Sequence, residues 1–310
     1  MKLTFLALWL AAFSAKSTPD AFVIALNDWS SQRVLSKVTG KLIQQMDIPV
    51  RYQDILTSDQ WGGLKSGVVH FQVEVWQSFA LSSFQTLVEA GHILDLGDHA
   101  AKTREEWWYP KYVEKVCPGL PDWQALKKCA ALFRTPTSGN KGVFLTGNWL
   151  YNHPDRIRAL QLNFTIERVK SDQVLWKRLS SAQEAQKPIV LLNWTPNWTQ
   201  TRLSGNFIEF PTYHPDCKSK PSWGVNPKHI HDCGSPKNGW LKKAAWPEIK
   251  TLWPCAYDLL KNMSMNSEMI SEAAALVDTD GMSEEQAAST WLKKFPSAQH
   301  WIPKQCRVGV

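Results

Sequence analysis

The chain has 310 residues, a formal net charge of +7, 44% hydrophobic and 20% charged residues. Those proportions exclude a disordered or collagen-like protein, and the length accommodates two lobes of ordinary domain size. The basic residues are spread without a polybasic block, which argues against nucleic acid as a partner. The 17 Trp are several times the usual share, and indoles left without a partner or a pocket are costly.

Lys2 is followed by LTFLALWLAAFSA, an apolar run ending in small side chains and too short to span a bilayer, so residues 1–17 are expected to be a secretory signal peptide. No Cys follows the run, and no later segment approaches the ~18 apolar residues of a membrane helix. The mature chain is therefore expected to be soluble, in the periplasm or secreted. Six Cys in an exported chain read as disulfides, and the expected pairing is local: Cys117 with Cys129, Cys217 with Cys233, Cys255 with Cys306.

Val23 to Leu26 predicts a strand. After Asn27-Asp28-Trp29-Ser30, the spacing of Val34, Leu35, Val38, Leu42 and Met46 predicts a helix that Ser30 or Ser31 can cap. A strand restarts at Pro49-Val50-Arg51-Tyr52, and a short helix opens near Thr57 and ends at Gly67. VVHFQVEVW, 68–76, sets Val69, Phe71, Val73 and Val75 against His70, Gln72, Glu74 and Trp76 on the opposite face of a strand. SSFQTLVEAG reads as a helix closed by Gly91, and HILDLG as a strand. The alternation resumes with GVFLTG as strand, HPDRIRALQL as helix, FTIERV as strand, DQVLWKRLSSAQEAQ as helix and PIVLLNW as strand. Strands alternating with such helices predict parallel sheets with helices on both faces, and two series in tandem predict two α/β lobes. Residues 211–238, rich in Pro, Lys, Gly and Cys, read as a disulfide-tied loop. AWPEIKTLWPCAYDLLKNM, NSEMISEAAALVDT and SEEQAASTWLKKF follow as helices.

Ligands of open α/β sheets bind beyond the carboxyl ends of the strands. Trp29 follows the first strand, Trp76 ends a strand, Trp149 follows GVFLTG, and Trp194 ends PIVLLNW. Four indoles at one kind of topological place predict a box for a cation that cannot donate strong hydrogen bonds, a methylated ammonium or sulfonium.

The motifs NDWSSQ (27–32), GGLKSGVVHFQVEVW (62–76), REEWWYPKYV (104–113), GVFLTGNW (142–149) and KPIVLLNWTPNW (187–198) resemble the glycine betaine, choline and related substrate-binding proteins of ABC transporters, over about residues 22–260. The resemblance implies two α/β lobes of the type II periplasmic-binding-protein fold, a hinge of crossing strands, and an aromatic cage in the cleft. It implies Trp29, Trp76 and Trp194 as cage walls, Trp149 from the second lobe, and one of Trp107 and Trp108 at the aromatic position before Pro110 and Tyr112. In LLNWTPNWTQ, Pro196 turns the chain, so Trp198 is expected to pack elsewhere. Some betaine binders hold the carboxylate with a polar or cationic residue four positions after the Trp76 equivalent; Ala80 stands there. Glu74 and Asp28 would favour a ligand with positive charge, a hydroxyl or an N-oxide that shares a proton, or else form a solvated strand face and a helix cap. The N–H groups of Ser30 and Ser31 offer another carboxylate site.

His214, Cys217, His229, His231 and Cys233 have zinc-ligand chemistry, but Cys217 with Cys233 reads first as a disulfide. A hydrolase finds no Gly-x-Ser-x-Gly elbow, and Glu105 with Glu106 no partner carboxylate. Sugar sites surround their aromatics with planar polar side chains, which are not seen beside these Trp. The Asn-x-Ser/Thr triplets at Asn163, Asn193, Asn197 and Asn262 read as chance matches in a bacterial protein, those at Asn193 and Asn197 as the polar part of a ligand loop. The expectation is a monomeric receptor with no metal, cofactor or covalent chemistry, built as lobe 1 over 18–111, lobe 2 over 112–211, and a return to lobe 1 over 212–310. It binds glycine betaine, choline, trimethylamine N-oxide or dimethylsulfoniopropionate and docks on an ABC permease. A secreted carbohydrate-binding protein or a zinc-containing hydrolase is the alternative.

Overall fold

The computed structural model describes residues 20–149 and 151–307, so the signal peptide expected at 1–17 lies outside the described residues. Its strands are β1 (Phe22–Leu26), β2 (Val50–Asp54), β3 (Phe71–Trp76), β4 (Leu94–Pro110), β5 (Gly142–Thr146), β6 (Phe164–Arg168), β7 (Leu191–Thr195), β8 (Gly205–Phe207) and β9 (Gly239–Ala245). They form a mixed α/β sheet in the order β2-β1-β3-β9-β4-β7-β5-β6, with β8 beside β4.

β4 sets the architecture. Its first part pairs with β9 from Leu94 to Thr103, and its second part pairs with β7 from Arg104 to Trp108 and with β8 from Trp108 to Pro110. A first half-sheet, β2-β1-β3-β9, thus lies on one stretch of β4 and a second, β7-β5-β6, on the other. β1 and β3 are parallel, and both β3 and β4 run antiparallel to β9, so β1, β3 and β4 point the same way. β7 is antiparallel to β4 and parallel to β5, so β5 and β7 point back. The carboxyl ends of the two parallel sets therefore face each other, and whatever follows those strands converges.

Helices cover the sheet as the periodicity requires. Ser30–Gln44 buries Val34, Leu35, Val38 and Leu42 and packs against helices Ser267–Asp278 and Glu284–Lys294. Gly67, at φ 75°, closes helix Gln60–Ser66 in the left-handed conformation that glycine adopts without strain. Ser283 and Gln286 form a capping box that starts Glu284–Lys294. The disulfides are the local pairs expected: Cys117–Cys129, Cys217–Cys233 and Cys255–Cys306.

Three elements differ from the expected pattern. All six residues of β3 are buried, not one face only, because β3 lies between β1 and β9 with helices on both sides. β4 continues through Arg104-Glu105-Glu106 to Pro110, and Gly239–Ala245 is a strand despite Lys242 and Lys243. The charges that look like loop chemistry have partners: Lys242 bonds Asp95 at 2.6 Å and Asp98 at 3.1 Å, buried Lys243 donates to the carbonyls of Lys261 and Met263, and Glu106 pairs with Arg156.

Candidate binding site

A cavity with about 270 Å3 of empty space, mouth included, is lined by Trp29, Trp76, Glu105, Trp149, Tyr151 and Trp194. Four indoles crowd this space, so the occupant is small. Trp29 follows β1 and starts helix Ser30–Gln44, Trp76 ends β3 and starts helix Gln77–Glu89, Trp149 follows β5, and Trp194 lies in β7. Opposed carboxyl ends thus deliver four indoles to one space. Trp149 meets Trp194 edge to face, with centroids 5.3 Å apart at 82°. Trp176 backs Trp194 at 5.1 Å and is itself met by Trp198 at 5.5 Å.

Each indole is fixed from behind. Glu74 Oε2 accepts from Trp29 Nε1 at 2.7 Å, Trp76 Nε1 at 3.0 Å and Ser31 Oγ at 3.2 Å. Trp149 Nε1 donates to Asp28 Oδ1 at 2.9 Å, a bond from the second half to the first. With the N–H groups of Trp29, Trp76 and Trp149 engaged by Glu74 and Asp28, which are not in the lining, these indoles offer the cavity π surface. The polar group facing it is Glu105, paired across the strands with Trp194 and accepting a bond from the Tyr151 hydroxyl. Glu105 is 3% exposed, and its Oε2 has no partner at hydrogen-bond distance among the described residues. Burial pushes its carboxyl up to about 7, against the lowering effect of bonds from Tyr151 and Ser78 and the charge of Lys218.

Residues 20–294 match the family of substrate-binding domains of ABC-type glycine betaine transport systems. The chain belongs to this family. It is 37% identical over 299 residues to the trimethylamine N-oxide-binding protein of Pelagibacter ubique (strain HTCC1062), an alignment covering 94% of this chain and 92% of that protein. Its fold is similar to that of an ABC-transporter choline binding protein in complex with choline, with a TM-score of 0.72 at 14% identity over 90% of this chain and 91% of the other. It is likewise similar to lactococcal OpuAC in its closed-liganded conformation complexed with glycine betaine, with a TM-score of 0.69 at 15% identity over 92% and 100%. These likenesses establish the type II binding-protein fold, and the family consists of solute-binding proteins.

Within this member of the glycine betaine family, the predicted residues separate. Trp29, Trp76, Trp149 and Trp194 come together. Trp107 and Trp108 do not line the cavity: Trp107 is fully buried with its ring stacked on Phe144 at 3.9 Å, and Trp108 packs against Gly205 near Phe207. Glu74 is absent from the lining and is wholly buried behind two of the indoles, so the solvated-face reading fails as well. The Ser30 N–H is taken by Asp172 Oδ2 at 2.8 Å, which removes that one of the two N–H groups from a ligand carboxylate. Asn193 and Asn197 are buried and hold their own turn through Thr199 and the Trp194 and Trp198 amides, rather than a ligand or a glycan. Glu105 and Tyr151 are the lining residues the sequence did not single out for this site. The signal for Glu105 was its register opposite Trp194, visible only once residues 104–110 are recognised as a strand.

Proposed function

We propose that this protein is an extracytoplasmic receptor for trimethylamine N-oxide that presents it to an ABC permease. The observation that carries the reading is the pairing of four indole faces with one buried carboxyl oxygen, Glu105 Oε2, that has no partner at hydrogen-bond distance among the described residues. The methyl groups of the ligand lie against the indoles, where each cation–π contact contributes about 0.5–2 kcal/mol and three or four approach the ~8 kcal/mol of micromolar binding. The N-oxide oxygen faces Glu105 and shares its proton. Tyr151 holds the other carboxyl oxygen in place. The 37% identity to a trimethylamine N-oxide-binding protein supports this choice.

Choline is the second reading, favoured by the same residue: an ionised Glu105 accepts from a hydroxyl and attracts the ammonium charge. Glycine betaine is disfavoured, since its carboxylate would meet Glu105 and find no Lys or Arg in the lining. The reading includes closure of two lobes about β4, with lobe 2 extended through the loop to about residue 238, because Ser235 and Asn226 bond Glu106 and Ala159 of the second half. It assigns the cage no covalent chemistry.

Intrinsic Trp fluorescence titrated with trimethylamine N-oxide, choline, glycine betaine and dimethylsulfoniopropionate tests the proposal. Glu105 holds its proton below about 7 and loses it above. N-oxide affinity should therefore fall as the pH rises from 6 to 8, while choline affinity should rise. Glu105→Gln, which keeps a donor but cannot titrate, should flatten both profiles. Trp194→Ala should weaken binding by more than about 1 kcal/mol. No response to any of the four ligands at micromolar concentration would overturn the reading.

A further inference from the structure

Behind Tyr151 lies a second chamber, with about 430 Å3 of empty space including its mouth. Its lining runs from Ser78 of the first half to His153, Arg156, Tyr213, Lys218 and His231 of the second half and the disulfide-tied loop, and it contains no Asp or Glu. Donors accumulate here. Trp107 Nε1 donates to His153 Nδ1 at 3.4 Å, which places the single imidazole hydrogen on Nε2. His153 is 3% exposed, is kept neutral by burial and by the charges of Arg156 and Arg168, and its Nε2–H has no partner among the described residues. The buried Tyr213 hydroxyl also lacks one. Lys218 is half-buried and makes no ion pair among the described residues; its charge is disfavoured first by burial and then by Arg156, and favoured by Glu105.

The carboxylates nearby lie outside the lining and accept bonds of their own. Glu106 takes Arg156, the Ser235 N–H and the Trp107 N–H; Asp232 takes the Asn226 N–H; Asp155 takes Arg158; Glu105 takes Tyr151 and faces the cage. Arg156 is paired with Glu106, whereas Lys218, with no ion pair among the described residues, stands beside neutral donors. His231 is held in the left-handed region at φ 63°, an unusual place for a non-glycine residue, by the loop that Cys217–Cys233 ties. Its backbone N–H bonds the Cys217 carbonyl at 2.7 Å, and its ring joins the lining.

We propose that this chamber is a binding site for a small monovalent anion of halide size, held by Lys218, Arg156, the Nε2–H of His153 and the Tyr213 hydroxyl. A single charge matches Lys218, which has no ion pair among the described residues, and the partnerless donors of His153 and Tyr213 suit a partly dehydrated halide. The site is separate from the cage and stands whether or not the cage takes an N-oxide. Because the chamber joins Ser78 to the loop and the second half, a bound anion also braces the two halves.

Crystals soaked in sodium bromide and measured at the bromine absorption edge provide the test. An anomalous peak is expected in the chamber, in contact with Lys218 and His153, and absent in Lys218→Met crystals whose density shows an unchanged fold. In solution, chloride should raise the unfolding midpoint saturably over gluconate at equal ionic strength, without any cage ligand, and Lys218→Met or Tyr213→Phe should diminish that rise. No peak in the wild-type chamber, or a peak of equal height in Lys218→Met, overturns the proposal. So does a midpoint that does not distinguish chloride from gluconate.

Discussion

Glu74 and Glu105 are both buried carboxyls that desolvation pushes up to about 7, yet their surroundings give them different work. Glu74 spends Oε2 on two indole N–H groups and a hydroxyl and never meets the cavity, whereas Glu105 keeps an oxygen at the cavity. Deleting Glu74 should leave three buried donors, the two indole N–H groups and the Ser31 hydroxyl, without their acceptor, at about 1–3 kcal/mol each. Glu74→Ala is therefore expected to weaken cage-ligand binding at least tenfold by fluorescence titration. Glu74→Gln retains an acceptor for the indoles and should lose much less. Equal losses in both variants would instead mean that the Glu74 charge acts on the ligand directly. At this scale the sequence revealed residue types but not directions. A Glu at an alternate position of a strand is compatible with solvent, ligand or support, and only the neighbouring indole nitrogens decide among them.

The elements were legible where apolar periodicity is strong and hidden where charge interrupts it. Helix Ser30–Gln44 and strands β1, β5 and β7 follow from runs of Val, Leu and Ile, while the second part of β4 and all of β9 carry charges whose partners are distant in sequence. The tandem Trp107-Trp108 carries a similar lesson. Both are wall material for the second half, Trp107 against Phe144 and Trp108 against the backbone of β8. A Cβ at Gly205 would stand 2.0 Å from Trp108 Cζ2, so glycine is what lets β8 approach β4 at this point. Gly205→Ala should cost about 1–3 kcal/mol by overpacking, read as a lower denaturation midpoint. Trp108→Leu in the same chain should restore part of that loss by removing the ring in the way. An additive loss in the double variant would contradict the steric account.

Across the whole molecule, the opposed carboxyl ends explain why sequence position alone found the cage: four Trp after four strands must meet if the strands face one another. The same arrangement brings together two acids that no local pattern connects. Asp172 starts helix Asp172–Glu184 of the second half, and its Oδ2 takes the Ser30 N–H of the first half at 2.8 Å. Ser30 Oγ in turn donates to Asp278 Oδ1 at 2.6 Å and accepts from Gln173 Nε2 at 3.2 Å, while the Trp176 and Trp198 indoles face the same carboxylate. Burial pushes Asp278 up to about 6; burial and the charge of Asp278 hold Asp172 well above the ordinary Asp range. A carboxyl raised in the packed state stabilises that state below its ordinary range, and the contribution is lost as pH rises through the raised value. Contact between the halves should therefore loosen as pH rises past about 6. Asp278→Asn keeps an acceptor for Ser30 but removes one titrating charge. In small-angle scattering of ligand-free protein, the wild type should expand between pH 5 and pH 8 and the Asn variant should expand less. Glu74 and Glu105 titrate in the same interval but remain in both proteins, so the difference between the two curves isolates the Asp172–Asp278 pair. Identical curves would show that this pair does not couple proton uptake to the approach of the two halves.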